Sequence, residues 1–476
     1  MTVLDVQVRS GSDVAPTSGT AASPSRSHRR RTLPARMAYG LVAAVIGLGL
    51  FASVTPSPLY QLYATLWHFS PLMLTVIYAT YAFGVLATLL LAGSISDQVG
   101  RRPVLIAALG VLMTATILYM LADSVAWLFV ARGLQGLATG AALSAASAAM
   151  LDLHPSRDPG GVGITNGVVT TGGLGLGMLV SASLVEVGWA PRLLPYLLLL
   201  VLLSVALVGA FFIPEPVTQR RRPSLTPQRP NVPPAVRGPF VLAALAVLSS
   251  WSIGGLFFSL GPDLSAHLFD STNVIVSAVG VVALAGSACV AALVLGRIVP
   301  WIGASVGSLA LAVGMLLVVG AVAAASAPIF LIGTVVGGIG FGLAFLGGLR
   351  GLVTAIPAGH RGAVMSAFYI VAYAALSLPA VVAGVVVSHL GLRPTFEIFG
   401  SVVAGIALIV AFEAFRSRPN WRLSPGAPPD RPRRPDWDRS PRLTSSTGPI
   451  LITSGENGRT PCRSSGSPSR LGRRAV

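Results

Sequence analysis

Between Ala38 and Phe415 the chain is built almost entirely of apolar stretches, each about as long as a helix that crosses a bilayer. That length leaves few folds open, because about 20 apolar residues at about 1.5 Å rise per residue span the hydrocarbon. Cut at its polar and proline-rich breaks, the region divides into windows at 38–57, 72–92, 103–121, 126–149, 166–185, 193–213, 239–260, 273–295, 303–323, 329–350, 364–387 and 394–415. Backbone polar groups find no water in lipid, so a spanning segment must close its hydrogen bonds as a helix or within a closed barrel. These windows are much longer than the roughly ten-residue strands of barrels. The expected class is an all-α integral membrane protein, with twelve transmembrane helices in two six-helix halves and the lipid bilayer as its solvent.

Charge placement orients the spans. The chain is 53% hydrophobic and 10% charged, far below the ~25% charged of soluble domains. All 33 basic residues are arginine, set against 16 acids, for a net charge of +17. Thirteen arginines follow Phe415 and five precede Leu33, so the excess sits mainly in the tails. No aromatic interleaving accompanies them, and nucleic-acid binding is not expected. Arg101, Arg102, Arg157, the run from Arg220 to Arg237, Arg297, Arg350 and Arg361 fall at one set of span ends, whereas the other set carries only Arg192 and Arg393. Arginine marks the cytoplasmic side, so both termini are expected in the cytoplasm. Cys289 lies in an apolar run and Cys462 in the polar tail, which predicts neither a disulfide nor a metal cluster, and the N-terminal 35 residues lack the apolar core of a cleavable signal.

The expected organisation is a basic tail (1–35), a six-helix half (36–213), a Pro- and Arg-rich linker (214–238), a second six-helix half (239–415) and a polar, disordered tail (416–476). A weak internal repeat crosses the linker. VGWAPRL at 187–193 parallels LGLRPTF at 390–396, and LHPSRDPGGV at 153–162 parallels IPAGHRGAV at 356–364. Such paired repeats predict a substrate site at their interface, opened alternately to either side.

The sharpest local signal is GSISDQVGRR at 93–102, between the second and third spans. Gly93 permits close backbone approach, Gly100 permits a tight turn, and Asp97 is placed to pair with Arg101 or Arg102. Here the chain resembles the major facilitator superfamily of secondary transporters, whose signature has this glycine, aspartate and paired-arginine pattern; Gln98 stands where a basic residue is usual. The resemblance implies the major facilitator fold, with Asp97 and its arginines stabilising an outward-facing state at the inner gate.

Arg132 opens RGLQGLATGAAL in the fourth span, where a charge inside a bundle is costly and points to a function. By resemblance it matches the arginine linked with proton coupling in antiporters; the alternative is an arginine snorkelling to the membrane edge. Gly136 and Gly140 on the same helix form a small-residue packing face. Gly172, Gly173, Gly175 and Gly177 in the fifth span resemble the glycine-rich segment of drug/proton antiporters, said to control packing among helices two, five, eight and eleven, although Leu174 replaces the usual proline.

Titratable groups are scarce inside the spans. All six histidines are expected in tails or loops, and Asp263 near an outer boundary is either a proton or cation site or a solvated loop residue. Ser57, Tyr60, Gln61, Tyr78, Tyr81, Trp251, Phe257, Phe258, Tyr369 and Tyr373 are the expected cavity lining, a surface suited to a hydrophobic or aromatic solute. Many of these aromatics could equally serve helix packing. No enzyme constellation, nucleotide motif, cofactor site or metal site is found. The expected function is therefore export of small hydrophobic or aromatic compounds, drugs or metabolites, in exchange for protons. The protein is expected to act as a monomer in a bacterial plasma membrane; the alternatives are solute uptake or facilitated diffusion, and a non-transporting sensor on the same fold.

Overall fold

The computed structural model of the protein describes residues 32–92, 95–155, 158–215, 231–356 and 361–417. Every regular element among them is helical. Helix α1 (Ala35–Val54) continues through a 3-10 turn at Ser57–Leu59 into α2 (Tyr60–Trp67), followed by α3 (Pro71–Ala92), the short α4 (Ile95–Val99), α5 (Arg101–Met120), α6 (Val125–Leu153), α7 (Pro159–Val187) and α8 (Leu194–Ala210). The second half holds α9 (Arg237–Leu268), α10 (Val274–Leu295), α11 (Pro300–Ala323), α12 (Ala327–Ala355), α13 (Arg361–Leu390) and α14 (Leu392–Arg416). Eleven helical segments are long and apolar enough to cross a membrane, α1 and α2 counting as one, and α8 is a shorter apolar helix of 17 residues. This fits the expected twelve. Gly93, Arg157, the two tails up to residue 31 and from 418, and the linker between 216 and 230 lie outside the described residues.

The helices run further than the hydropathy windows suggest. Helix α9 passes residue 260 and carries Pro262, Asp263 and His267, while His389 stands in the last turn of α13. The expectation that histidines lie only in tails and loops fails at these two positions. A hydropathy window stops at the first polar residue, whereas the helix continues wherever its own backbone hydrogen bonds are cheaper than exposed polar groups.

The internal repeat is visible in three dimensions. Gln61 and Asp263 are 202 positions apart, and the same offset separates the first residues of α1 and α9, of α6 and α12, and of α7 and α13. Arg192 Nη2 donates to the Ala122 carbonyl and Arg393 Nη2 to the Ala323 carbonyl; each pair is 70 residues apart, and each bond caps a helix-end turn of its own half. Both arginines stand at or just before the start of the last helix of their half, although aligning VGWAPRL with LGLRPTF residue by residue would set Arg393 against Ala190 rather than Arg192.

Each half has its own apolar core. Val42, Ile46, Leu109 and Leu203 belong to one, and Ile253, Leu311, Met315 and Phe396 to the other. The outward faces stay apolar as well, for example Val306, Leu309, Val313 and Leu316 on α11, which is the pattern of a helix that meets lipid. The halves meet where α3 packs on α13 and α7 on α10.

Close approach of helices depends on glycine. A Cβ at Gly136 would lie 2.2 Å from the Tyr81 carbonyl of α3, and one at Gly140 2.9 Å from that of Val85. Gly173 and Gly177 of α7 press in the same way on Gly47 and Phe51 of α1, whereas Gly172 and Gly175 face Cys289 and Ala285 of α10. The glycine-rich segment thus serves the first and eighth spans. Gly136→Leu should separate α3 from α6 and destabilise the protein by about 1–3 kcal/mol, the usual range for overpacking. Gly163→Ala, with nothing within 4 Å of its added methyl, should leave the thermal midpoint unchanged in detergent unfolding.

Candidate functional site

Three constellations can be built from the residues upward, and they sit at different depths. The first lies on the face of the bundle that carries Arg101, Arg102 and Arg297. Gly100 adopts φ 118°, a conformation disfavoured for other residues, and so turns the chain sharply from α4 into α5. Its missing side chain leaves room for the Glu215 carboxylate, which accepts from the backbone N–H groups of Arg101 and Arg102 at 3.0 Å each. An acid at a helix N-terminus satisfies orphan donors and opposes the helix dipole. Arg101 pairs with Asp97 one turn earlier, donates from Nη1 to Ser96 Oγ at 2.8 Å, and reaches Asp152 Oδ2 on α6 at 3.3 Å. The motif thus ties α4, α5, α6 and the end of the first half together. On the same face Asp158 accepts from Gly160 and Gly161 N–H, which holds its carboxyl below the usual range. That cap is present above the ordinary aspartate pKa and lost as pH falls through the lowered one.

The second constellation is Arg132, whose side chain is fully buried and does not snorkel. Its Nε donates to Tyr60 Oη at 2.5 Å, and its Nη1 to the Ser53 carbonyl at 2.6 Å and to Gln135 Oε1 at 2.7 Å. Gln135 in turn donates to the Ala52 carbonyl. The guanidinium carbon lies 5.4 to 5.7 Å from the ring centroids of Tyr60, Tyr78 and Tyr81, each able to contribute about 0.5–2 kcal/mol of cation–π attraction. Among the described residues no carboxylate pairs with it.

The third joins the halves on the opposite face. Gln61 Nε2 of α2 donates to Asp263 Oδ1 of α9 at 2.5 Å. Nearby in the fold, Glu186 at the end of α7 accepts from Asn273 Nδ2 and from the Val274 N–H at the start of α10, at 2.9 and 2.8 Å. Asp263 is therefore a partly buried helical residue rather than a solvated loop aspartate.

Between these levels Tyr78, Tyr81, Phe258 and Tyr373 form one cluster at the junction of the halves, with Trp251 and Tyr369 packed against it and Trp251 edge-on to Tyr373. Phe257 departs from this group. It lies in the core of the second half between Phe330 and Phe396, because neighbouring residues on a helix point about 100° apart. Of the expected lining residues in the first span, Gln61 reaches the second half through Asp263, whereas Tyr60 is buried among first-half residues with Tyr63, Tyr119 and Tyr196, and Ser57 is buried in the 3-10 turn.

Glu215 and Glu186 were not singled out from the sequence. Glu215 stands in a stretch read as linker, and the signal that could have found it is an acid directly after the sixth span, within reach of a helix N-terminus. Glu186 ends its own helix, where the dipole disfavours a carboxylate, and it serves the N-terminus of another helix instead.

A fold of two repeated six-helix halves with the GSISDQVGRR motif agrees with the comparison of the chain against protein families, in which the Major Facilitator Superfamily matches residues 37–324. The chain belongs to the Major Facilitator Superfamily. No curated protein matches its sequence significantly. Among solved structures it is similar to the crystal structure of the human organic anion transporter MFSD10 (TETRAN), with a TM-score of 0.60 and 18% sequence identity over 80% of this chain and 100% of that one; at that identity the likeness speaks for the fold. Superfamily membership makes the protein a membrane transporter of small molecules rather than an enzyme.

Breaking the cross-half contacts should be measurable. In Gln61→Ala combined with Glu186→Gln, paired spin labels on α2 and α9 should report a wider separation on this face. An unchanged distance distribution would show that these bonds do not hold the halves together.

Proposed function

We propose that this superfamily member is a secondary active transporter that exports small hydrophobic or aromatic compounds in exchange for protons. Its working bodies are the halves 36–213 and 239–415, rocking about the substrate site between them. The observation that carries the reading is the aromatic junction of Tyr78, Tyr81, Trp251, Phe258, Tyr369 and Tyr373 where the halves meet. Flat apolar rings with a few hydroxyls suit an aromatic solute; a sugar would ask for convergent amides and acids.

Charge asymmetry supports placing the arginine-bearing face and both termini in the cytoplasm, and the arginine-only basic set with its Ala, Gly and Pro bias supports a bacterial plasma membrane. With that orientation the Gln61–Asp263 and Glu186–Asn273 bonds close the outer side, the arrangement that loads an exporter from within. Asp97, Arg101 and Arg102 are the inner gate and Arg132 takes part in coupling. Asp263 is the proton-carrier candidate, since arginine stays charged at any physiological pH. The protein works as a monomer, with protons and a small molecule as its partners.

Everted membrane vesicles acidified inside and challenged with aromatic compounds one at a time provide the test. Substrate-specific alkalinisation of the lumen is the expected result. Arg132→Ala should abolish it, and Asp97→Asn should slow it about tenfold or more, a bias of about 1.4 kcal/mol on the conformational cycle, with membrane insertion intact. Normal exchange by well-inserted Arg132→Ala protein would remove Arg132 from coupling. Accumulation of the solute without proton movement would favour uptake or facilitated diffusion.

A further inference from the structure

Arg132 is fully buried, and its Nη2 has no hydrogen-bond partner. Three further hydrogen bonds go from Nε and Nη1 to neutral acceptors, so they satisfy donors without cancelling charge. A guanidinium does not lose its proton under physiological conditions, and its charge stays in place through every state of a transport cycle. An isolated buried charge is costly, and a partner of opposite sign is the ordinary solution. The described residues supply none, since Asp263 is engaged by Gln61 and the Asp97 and Asp152 carboxylates are engaged by Arg101.

A second donor comes from the first span. In chain order Ser53, Ser57 and Tyr60 come from the end of α1, the 3-10 turn and the start of α2. Ser53 and Tyr60 both accept from Arg132, so Ser57 lies between two residues that touch the guanidinium. Its Oγ is also buried and without a partner. Two buried groups able to donate, one of them charged, are thus without a partner, and the rings of Tyr78 and Tyr81 connect Arg132 to the aromatic junction.

We propose that Arg132 Nη2 and Ser57 Oγ receive the carboxylate of an aromatic monoanion, whose ring stacks among Tyr78, Tyr81 and the facing Tyr373. A single guanidinium matches a single negative charge, which selects weak organic acids over di- and trianions and over cations. This rests on the transport reading above and narrows its cargo.

The test uses the purified full-length chain in detergent, with benzoate, benzamide and benzylammonium as probes of equal ring and differing charge, followed by thermal shift and by tryptophan fluorescence. Benzoate should bind saturably and at least tenfold more tightly than either analogue. Affinity should fall several-fold in Ser57→Ala and tenfold or more in Arg132→Gln; where Arg132→Gln does not fold, Arg132→Lys should show a several-fold loss, because it keeps the charge but not the second donor. Equal binding of benzamide, undiminished benzoate binding in the Ser57 and Arg132 variants, or an equal response to chloride or acetate would overturn the inference, the last by showing a small-ion or solvent site only. The two readings fail separately. Arg132-dependent benzoate binding without proton-linked movement in vesicles would keep the anion site and reject antiport, whereas proton-linked export of neutral aromatics with no benzoate binding would do the reverse.

Discussion

Polar groups in a hydrocarbon solvent have nowhere to turn but to one another, and most features of this structure follow from that constraint. Serines and threonines within the spans bond back to their own helix, as Thr116 does to Leu112, Ser259 to Gly255 and Ser377 to Tyr373. Ser181 of α7 instead reaches the Thr55 carbonyl at the end of α1, which joins two helices where the first helix changes to its 3-10 turn. Apolar side chains gain little by leaving lipid for one another. Association then depends on shape, and the backbone-to-backbone approaches at Gly136, Gly173 and Gly177 provide the area that side chains would otherwise hold apart.

Arg132 is the exception that the surroundings accommodate. A charged group at this depth is tolerated because Tyr60, Gln135 and the Ser53 carbonyl surround it and three aromatic rings face it. Gln135 stands one turn further along α6 and orients the guanidinium while itself bonded to Ala52. The 3-10 step after α1 joins the Ser53 carbonyl, which accepts from Nη1, to the Tyr60 hydroxyl, which accepts from Nε. Local irregularity in the first span and charge in the fourth are thus parts of one arrangement.

Much of this was legible in the sequence because it obeys one-dimensional rules. Span length, the clustering of arginine at alternate span ends and the GSISDQVGRR motif carry the helix number, the expected topology and the superfamily. The pairing of Arg132 with Gln135 is visible as an i, i+3 spacing. What could not be read depends on contacts between segments distant in the chain. The Gln61–Asp263 and Glu186–Asn273 bonds join residues 202 and 87 positions apart, and Glu215 reaches back to α5 across more than a hundred residues. Phe257 and Phe258 are indistinguishable by type, and only the helix's rotation sends one to the core and the other to the junction.

The equal spacing of the two halves makes their chemical difference informative. The position equivalent to Arg132 at the 202-residue offset that relates α6 to α12 is Thr334, buried and neutral. The fourth and tenth spans have therefore kept a common start in their halves while carrying unlike groups, a buried charge in one and a hydroxyl in the other, and the second half brings its own carboxylate at Asp263. A solute at the junction would thus meet two unlike surfaces, since Tyr78 and Tyr81 come from one half and Trp251, Phe258, Tyr369 and Tyr373 from the other. The pseudo-symmetry of the backbone is then no guide to the symmetry of the chemistry, and a change of cargo could arise from a substitution in either half.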